Sequence, residues 1–305
     1  MIELSYKDKE EWLALRKGYI GGSDAAAVLG LDEYKSPYSL WAEKTGKIPE
    51  FKGNITTKVG AFLEQFVADM WSEETGKKLR KKNRILVNEA YPWACADVDR
   101  LVVGEKSLLE IKTTNSFPIM RKCKDGTFPD RWYVQMMHYL AVTGLEKAYL
   151  AVLLNCRDVL YYELSRDEDE IAALMKAEEA FWEKVKNDNK PDVDGSEATS
   201  DALNTIYADA VPGEVELFGR EGLFEQYADL KLQKKAIEGK ITEVENIIKD
   251  DMGEAERGFI ADHKVMWKNQ VRSSFDTKKF ASAHPEIDLT PFYKESTSRV
   301  FRVLA

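Results

Sequence analysis

The sequence predicts an α/β protein with a mixed central sheet flanked by helices, followed by a C-terminal helical and β extension. Short apolar runs alternate with longer segments in which apolar residues recur every three or four positions, which is typical of strands alternating with helices. The 305 residues are 44% hydrophobic and 11% aromatic, enough for one large or two modest cores. An acidic, aperiodic stretch separates this part from a long heptad helix and further short strands.

Composition argues against several classes of protein. No run approaches the roughly 18 apolar residues of a membrane-spanning helix, and the first residues lack the charged-then-apolar order of a signal peptide. The three cysteines are far apart, suit a reducing compartment and form no zinc pattern. We therefore expect a cytoplasmic protein without a membrane partner. Because the net charge is −9, nucleic acid would have to be bound by a local basic surface.

The first elements are predicted to be helices. A helical stretch follows Ser5 and runs to Lys17, where glycines break it. Ser23 is placed to cap a second, short helix that stops at Gly30. A longer helix covers about 57–76, with its apolar residues at helical spacing.

Strands and helices alternate in the next part. Two short strands around a turn occupy 96–114, a loop covers about 118–129, and a helix covers 131–144. Apolar strands at 147–155 and 158–164 follow, and a helix near 167–186 completes the pattern. We expect a first domain over 1–190, an acidic linker over 191–215 and an extension over 216–305.

The extension begins with a heptad pattern. One seam of a helix about four heptads long is formed by Leu223, Tyr227, Leu230, Lys234, Ile237, Ile241, Val244 and Ile248. The seam is equally compatible with a coiled coil to another subunit and with a helix packed back on the first domain. Short strands are expected in 259–270 and 298–304, around a helical segment at 276–286.

Polar side chains interrupt the apolar strands of the 96–114 hairpin. In a strand, residues two apart share a face, so Glu110 and Lys112 project together while Ile111 projects toward a core. The turn returns the chain, so Asp99 can approach Glu110 from the first strand. Carboxylates are the ligands that Mg²⁺ prefers, and a neighbouring lysine can orient a water and offset charge on a phosphodiester. These residue types are what metal-dependent phosphodiester cleavage requires.

A solvent-facing strand would explain the same pattern without chemistry. An acidic residue two positions before lysine also occurs at Glu33, Glu50, Asp188 and Glu238. The copy at Glu110 differs from these because it alone lies in an apolar strand with an aspartate in the preceding one. Spacing by itself leaves both interpretations open.

Two further features are suited to binding phosphate. The Gly-Gly-Ser turn before the second helix offers backbone N–H groups, and Arg16 could add a guanidinium contact near Ser23. Ser23 as a simple N-cap and Arg16 on a solvated face explain the residues equally well. A basic run also interrupts the acidic chain just before the hairpin, and it consists of Lys77, Lys78, Arg80, Lys81, Lys82 and Arg84. It is a plausible surface for tracking DNA phosphates.

Several separate stretches resemble one known family. The segments WLALRKGYIGGSDAAAVLG, VGAFLEQF, DVDRLVVGEKSLLEIK and PDRWYVQMMHYLAVTGLEKAYLAVL follow one another over about 170 residues. In this order they resemble the YqaJ-like viral recombinase and phage lambda exonuclease family, within the PD-(D/E)xK nuclease superfamily. The resemblance implies a restriction-endonuclease-like core for the mixed sheet, and makes 1–190 an exonuclease domain.

The resemblance also implies roles for particular residues. Asp99, Glu110 and the carbonyl of Ile111 would coordinate the catalytic metal, and Lys112 would position the attacking water. Glu64 matches a glutamate near the metals, and Gln135 a glutamine that contacts the site or the DNA. Arg16 and Ser23 would bind the 5′-terminal phosphate. The family often has Pro-Asp-Gly where this chain has Val98-Asp99-Arg100. Asp97 therefore stays an alternative metal ligand, and the position of Asp99 before Leu101 favours Asp99.

The implied function is a Mg²⁺-dependent 5′→3′ exonuclease, with Mn²⁺ as a substitute ion, acting on linear double-stranded DNA. It would produce 3′ single-stranded tails for recombination in a phage or prophage setting in the bacterial cytoplasm. A single-strand annealing recombinase is the implied protein partner, and a homo-oligomer, such as the rings of related phage nucleases, the implied assembly. An endonuclease or repair nuclease on the same core, and a non-catalytic DNA-binding or assembly module, are the alternatives.

Overall fold

The computed structural model describes residues 1–294 and 298–303 of the chain. It divides into two units, Met1–Asp209 and Ala210–Ala305. Within the described residues, no helix combines the length and the apolar character needed to cross a bilayer.

The first unit alternates helices with strands, as the sequence predicts. Its helices are α1 (Lys9–Lys17), α2 (Gly22–Val28), α3 (Pro37–Lys44), α4 (Ile55–Thr75), α5 (Phe117–Lys124), α6 (Asp130–Thr143), α7 (Glu168–Lys186) and α8 (Glu197–Ile206). Its strands are β1 (Ile2–Leu4), β2 (Ile20–Gly21), β3 (Leu79–Arg80), β4 (Ile85–Asn88), β5 (Tyr91–Ala96), β6 (Arg100–Val102), β7 (Ser107–Thr114), β8 (Lys147–Leu154) and β9 (Asp158–Ser165).

The strands form two sheets. The central one has the order β3-β6-β7-β8-β9, with β7 and β8 parallel and the other pairs antiparallel. A smaller sheet has the order β1-β4-β5-β2. The mixed central sheet predicted from the sequence is therefore confirmed.

Helices cover both faces of the central sheet because β8 is apolar on both faces and β7 places a leucine on each. Leu109 and Ile111 of β7 pack with Trp71 of α4, whereas Leu108 packs in the core that contains Met136 of α6. Alternate residues of β7 thus face different helices, as strand geometry requires. Glu110 and Lys112 share the parity of Leu108 and lie on the α6 side.

Several element boundaries differ from the expectation, for local reasons. Helix α1 begins at Lys9, not after Ser5, because the Asp8 carboxylate accepts the Glu11 N–H at 2.9 Å and caps the helix. Helix α2 begins at Gly22, so Ser23 lies inside its first turn and is not the cap. The expected loop at 118–129 contains α5, which starts with the favourable Phe117-Pro118 pair.

The predicted linker 191–215 is wrong for its middle part. Helix α8 lies inside it, capped by the Ser196 hydroxyl, which accepts the Thr199 N–H at 3.1 Å. Ala202 is buried against Tyr38 and Phe181 in a core of the first unit. The sequence of this segment resembles a linker because only a few of its residues are apolar, yet these suffice to hold a ten-residue helix.

The second unit contains α9 (Glu221–Met252), the hairpin of β10 (Arg257–Ile260) and β11 (His263–Met266), and α10 (Thr277–Ala283). The heptad helix, the first pair of strands and the helical segment at 276–286 are therefore present. No strand forms in 298–303, which corrects the second strand prediction; Leu304 lies outside the described residues.

Candidate active site

The centre of the site is a hydrogen-bonded group on β7 and α6. Lys112 Nζ donates to Glu110 Oε1 at 2.7 Å and to Gln135 Oε1 at 2.8 Å. Gln135 Nε2 donates to the same Glu110 oxygen at 2.8 Å. The predicted carboxylate, lysine and glutamine are therefore in direct contact. The Lys112 side chain is 22% exposed, so its ammonium remains accessible from solvent.

Asp99 completes this group from the turn before β6. Its Oδ2 accepts the Ile111 backbone N–H at 2.8 Å, which fixes the carboxylate beside β7. Burial and the neighbouring Glu110 charge raise the pKa of Asp99 well above its usual range, while Lys112 opposes the shift. Burial also raises the pKa of Glu110. Because the Glu110 charge disfavours a charged Asp99, a cation between the two carboxylates would be stabilised.

The alternative ligand, Asp97, has a different partner. Its Oδ2 accepts the indole N–H of Trp12 at 2.7 Å. Asp97 lines the same cleft as Asp99, but the hydrogen bond to Ile111 places Asp99 on the strand that carries Glu110. This geometry favours Asp99 as the ligand.

The donor set fits a hard divalent cation. Both carboxylates present oxygen, and Glu110 Oε2 is buried without a hydrogen-bond partner among the described residues. A buried carboxylate oxygen without a donor is the kind of atom that a metal ion satisfies. Within the described residues, however, no group of three or more His, Cys, Asp or Glu side chains is close enough to hold an ion. Any further ligands would have to be backbone oxygen, such as the predicted Ile111 carbonyl, water or substrate.

Glu64 does not join the two carboxylates directly. This α4 residue lines the cleft, but its Oε1 accepts from Arg100 Nη1 and lies 3.5 Å from Lys81 Nζ. Arg100 is almost fully buried and also donates to the Asp99 carbonyl at 2.7 Å. Arg100 therefore ties α4 to the turn that carries Asp99. Sequence reasoning did not single out this arginine; a basic residue directly after the proposed ligand was the available signal.

Arg16 and Ser23 come together at another part of the cleft. Arg16 Nη2 donates to Ser23 Oγ at 2.7 Å, and its guanidinium lies 4.7 Å from the Trp12 ring centroid. The charge of the adjacent Asp24 carboxylate would repel an anion only weakly, because Lys44 and Lys35 form salt bridges with it at 2.8 and 3.3 Å. Its Oδ2 also accepts the Gly21 N–H at 3.2 Å, so that backbone donor is occupied.

A single cleft of about 500 Å³ joins these parts. Its wall includes the predicted site residues Arg16, Ser23, Glu64, Asp97, Asp99, Glu110, Ile111, Lys112 and Gln135. Residues that sequence reasoning missed also line it, notably Trp12 and Tyr139. Tyr139 could have been found as the residue four positions after Gln135 on the same helical face; its hydroxyl accepts from Gln135 Nε2 at 3.0 Å.

The basic run is not a continuous positive surface. Lys77 binds Glu105 at 2.8 Å, which raises the pKa of Lys77 to about 12, and Lys81 lies near Glu64. Lys82 and Arg84 both contact Glu3. In the part of the chain that the structure describes, the remaining two residues, Lys78 and Arg80, form no salt bridge. Carboxylates distant in sequence thus pair with four of the six residues, and the contact of this run with DNA phosphates stays a prediction.

The mixed α/β fold of this chain matches that of solved exonuclease structures. The structure of the alkaline exonuclease LHK-Exo from Laribacter hongkongensis has the same fold, with a TM-score of 0.52 over 59% of this chain and 94% of that chain, at 22% identity. A structure of LHK-Exo in complex with dAMP matches equally well, with a TM-score of 0.52 at 23% identity.

Sequence relatives identify the protein family to which the chain belongs. Residues 11–146 match the YqaJ-like viral recombinase domain. The protein YqaJ from Bacillus subtilis (strain 168) is 37% identical over 290 residues, which is 93% of this chain and 90% of that protein. Protein D345L of African swine fever virus (strain Badajoz 1971 Vero-adapted) is 36% identical over 61 residues, only 20% of this chain. The chain belongs to the YqaJ-like viral recombinase family.

Proposed function

We propose that this protein is a Mg²⁺-dependent exonuclease that digests linear double-stranded DNA from the 5′ end. It would leave 3′ single-stranded tails for phage-type recombination. The observation that carries the proposal is the single cleft, which contains Asp99, Glu110 and Lys112 together with Arg16 and Ser23. The residues proposed for cleavage and those proposed for phosphate binding thus line one cleft.

The residues of the cleft have distinct tasks in this proposal. Asp99 and Glu110 would hold the divalent cation, which supplies Lewis-acid charge against the phosphate oxygens. Lys112, fixed by Glu110 and Gln135, would orient the attacking water and donate to the oxygen on which negative charge develops. Gln135 would keep the lysine ammonium aimed into the cleft. Mn²⁺ would serve as a substitute ion because it accepts the same oxygen ligands.

Arg16 and Ser23 would set the polarity of digestion. A 5′-terminal phosphate would accept hydrogen bonds from the guanidinium and the hydroxyl, replacing the bond that joins them now. The exposed cations Lys78 and Arg80, together with Lys81, would contact the DNA backbone. A nucleotide in a structure of the same fold, the dAMP complex of LHK-Exo, supports a nucleic-acid substrate. An annealing recombinase and a second copy of the chain would be the protein partners.

Lys112 provides the first test. Purified protein with Mg²⁺ and linear duplex should release nucleotides, and Lys112→Ala should lower the rate by about 10²- to 10⁴-fold because a positioned donor is lost. Lys106→Ala is the matched control, since Lys106 is an exposed lysine that binds Glu146 outside the cleft. Wild-type protein that binds duplex but never cuts it would refute the nuclease proposal and favour a DNA-binding module.

DNA ends provide the second test. A covalently closed circle should remain intact while linear duplex is digested; cutting of the circle would favour the endonuclease alternative. A 5′-phosphorylated end should be digested faster than a 5′-hydroxyl end. Arg16→Ala should reduce that preference by about tenfold or more, the worth of a hydrogen bond between charged groups. Equal rates on both ends with the wild-type protein would remove the polarity argument.

A further inference from the structure

The C-terminal hairpin, formed by β10 and β11, has one face that is both apolar and basic. Residues directly opposite each other in an antiparallel pair project from the same face, and so do residues two apart in one strand. Phe259 is opposite Lys264, and Arg257 is opposite Met266. These four residues, two apolar and two basic, therefore share one face of the hairpin, which we call the Phe259 face.

The Phe259 face is open to solvent, whereas the opposite face is partly covered. Phe259 is 74% exposed and Met266 is 49% exposed. On the opposite face Gly258 is half-buried, and a Cβ added to it would lie 3.5 Å from Met252 Cγ of α9. The hairpin thus packs on the end of α9 with one face and presents the Phe259 face to solvent.

The charge around this face is positive although the protein is acidic. The whole chain has a net charge of −9, but residues 257–272 contain four basic residues and one acidic residue. Among the described residues, no carboxylate forms a salt bridge with Arg257 or Lys264. The preceding Glu256 has the parity of the opposite face, because its carbonyl accepts the Trp267 N–H at 3.1 Å and so extends the strand pairing. This charge favours a polyanion as the ligand.

The exposed aromatic ring indicates which polyanion fits. Duplex DNA would use the two cations, but its bases are stacked on one another and would leave the Phe259 ring in water. A single strand has free base faces, and stacking of one base on an aromatic side chain contributes about 1–3 kcal/mol. Lys264 lies opposite Phe259, with about 5 Å expected between their Cβ atoms, and Arg257 lies about 7 Å along the same strand. Cations thus flank the ring on two sides.

We propose that the Phe259 face binds single-stranded DNA. One base would stack on Phe259, the neighbouring phosphates would be bound by Arg257 and Lys264, and Met266 would add apolar contact. The inference rests on the proposed function in one respect, since the strand bound would be the 3′ single-stranded tail that digestion leaves.

Fluorescence anisotropy of the full-length protein with a labelled oligodeoxythymidylate tests the proposal. Mg²⁺ is left out, so that binding is measured without cleavage. Phe259→Ala should weaken binding by about 5- to 150-fold, which corresponds to one stacked base, and Phe259→Trp should retain it. Ile260→Ala is the matched control and should bind as the wild type does, because Ile260 is an exposed apolar residue on the opposite face of the same hairpin.

Salt dependence separates the ring from the cations. For a single strand, the logarithm of the affinity falls with the logarithm of the salt concentration, with a slope of about −0.7 for each phosphate neutralised. Lys264→Ala should therefore make the slope shallower by about 0.7. Phe259→Ala should lower the affinity and leave the slope unchanged, since stacking releases no counterions.

Two results would overturn the proposal. Wild-type affinity in both Phe259→Ala and Lys264→Ala would show that the strand binds elsewhere. An equal loss of affinity in Phe259→Ala for the single strand and for a duplex of the same length would show a duplex-binding surface instead.

The nuclease assay keeps this inference separate from the proposed function. A protein that digests linear duplex, but whose binding of the oligonucleotide does not depend on Phe259, would contradict the inference alone. Binding that depends on Phe259, in a protein that never digests duplex, would support the inference and contradict the proposed function.

Discussion

Gly22 allows α2 to lie against Tyr139 at the bottom of the cleft, and substitution by alanine tests this contact. A Cβ at position 22 would lie 2.4 Å from Tyr139 Cε1 and 2.8 Å from its Cζ, whereas ordinary contact begins at 3.4 Å. The ring or the helix must therefore shift by about 1 Å. Tyr139 is buried in α6 and cannot rotate away freely, because its hydroxyl accepts from Gln135.

This displacement should affect both stability and activity. Forcing a methyl into a packed site typically costs about 1–3 kcal/mol, so we expect Gly22→Ala to lose that much free energy of unfolding. A displaced Tyr139 would also displace Gln135, which hydrogen-bonds it. Gln135 in turn forms hydrogen bonds with Lys112 and Glu110, so these two side chains would move as well. A misplacement of about 1 Å in a catalytic group can reduce the rate on the order of a hundredfold.

Urea unfolding and nuclease assays would measure the two effects of Gly22→Ala. Gly60→Ala is the matched stability control, because Gly60 lies in the interior of α4. Its added Cβ would make an ordinary 3.5 Å contact with Thr113 Oγ1 of β7. That variant should gain up to about 1 kcal/mol from helix propensity. A Gly22→Ala protein with wild-type stability would show that α2 and Tyr139 are not packed as described.

Two further predictions concern charged groups. Burial alone would raise the pKa of Asp24, but the charges of Lys44, Lys35 and Arg16 outweigh it and hold this pKa well below its usual range. The charged Asp24 therefore stabilises the folded protein fully above about pH 4, and this stabilisation is lost as the pH falls further. Asp24→Asn should therefore lower the free energy of unfolding by about 3–5 kcal/mol at pH 7, because it leaves the buried Lys44 ammonium without its carboxylate. The loss should be much smaller at acid pH, and urea unfolding at several pH values would measure it. Separately, Mg²⁺ should raise the melting temperature of the wild type at pH 7 by binding the folded state, and Asp99→Asn should abolish this increase in a thermal-shift assay. An unchanged Mg²⁺ response in Asp99→Asn would remove this carboxylate from the metal site.

The hairpin shows how much of the site could be predicted from local sequence. The two-residue period of a strand placed Glu110 and Lys112 on one face and Ile111 on the other, and the structure has the same parity. The likeness to a known family added Gln135, whose contact with Lys112 joins residues 23 positions apart. No periodicity could predict that distance.

The charged surface shows what a linear pattern leaves out. The basic run at 77–84 was a valid local pattern, but its neutralisation depends on Glu3, Glu64 and Glu105, which the fold brings to it. The expected linker failed for a similar reason, because Ala202 is buried only when α8 meets Tyr38 and Phe181. Long-range partners decide such cases, and a linear pattern does not contain them.

The sequence by itself determined the alternation of strands and helices, the parity of β7 and the heptad seam of α9, because each follows from local backbone geometry and side-chain period. The tertiary structure alone decided which carboxylate lies beside Glu110, and that Glu64 is held by Arg100. It also decided that Arg16 and Ser23 line the same cleft as Lys112. These are distances between residues far apart in the chain, and only packing of the sheets and helices fixes them.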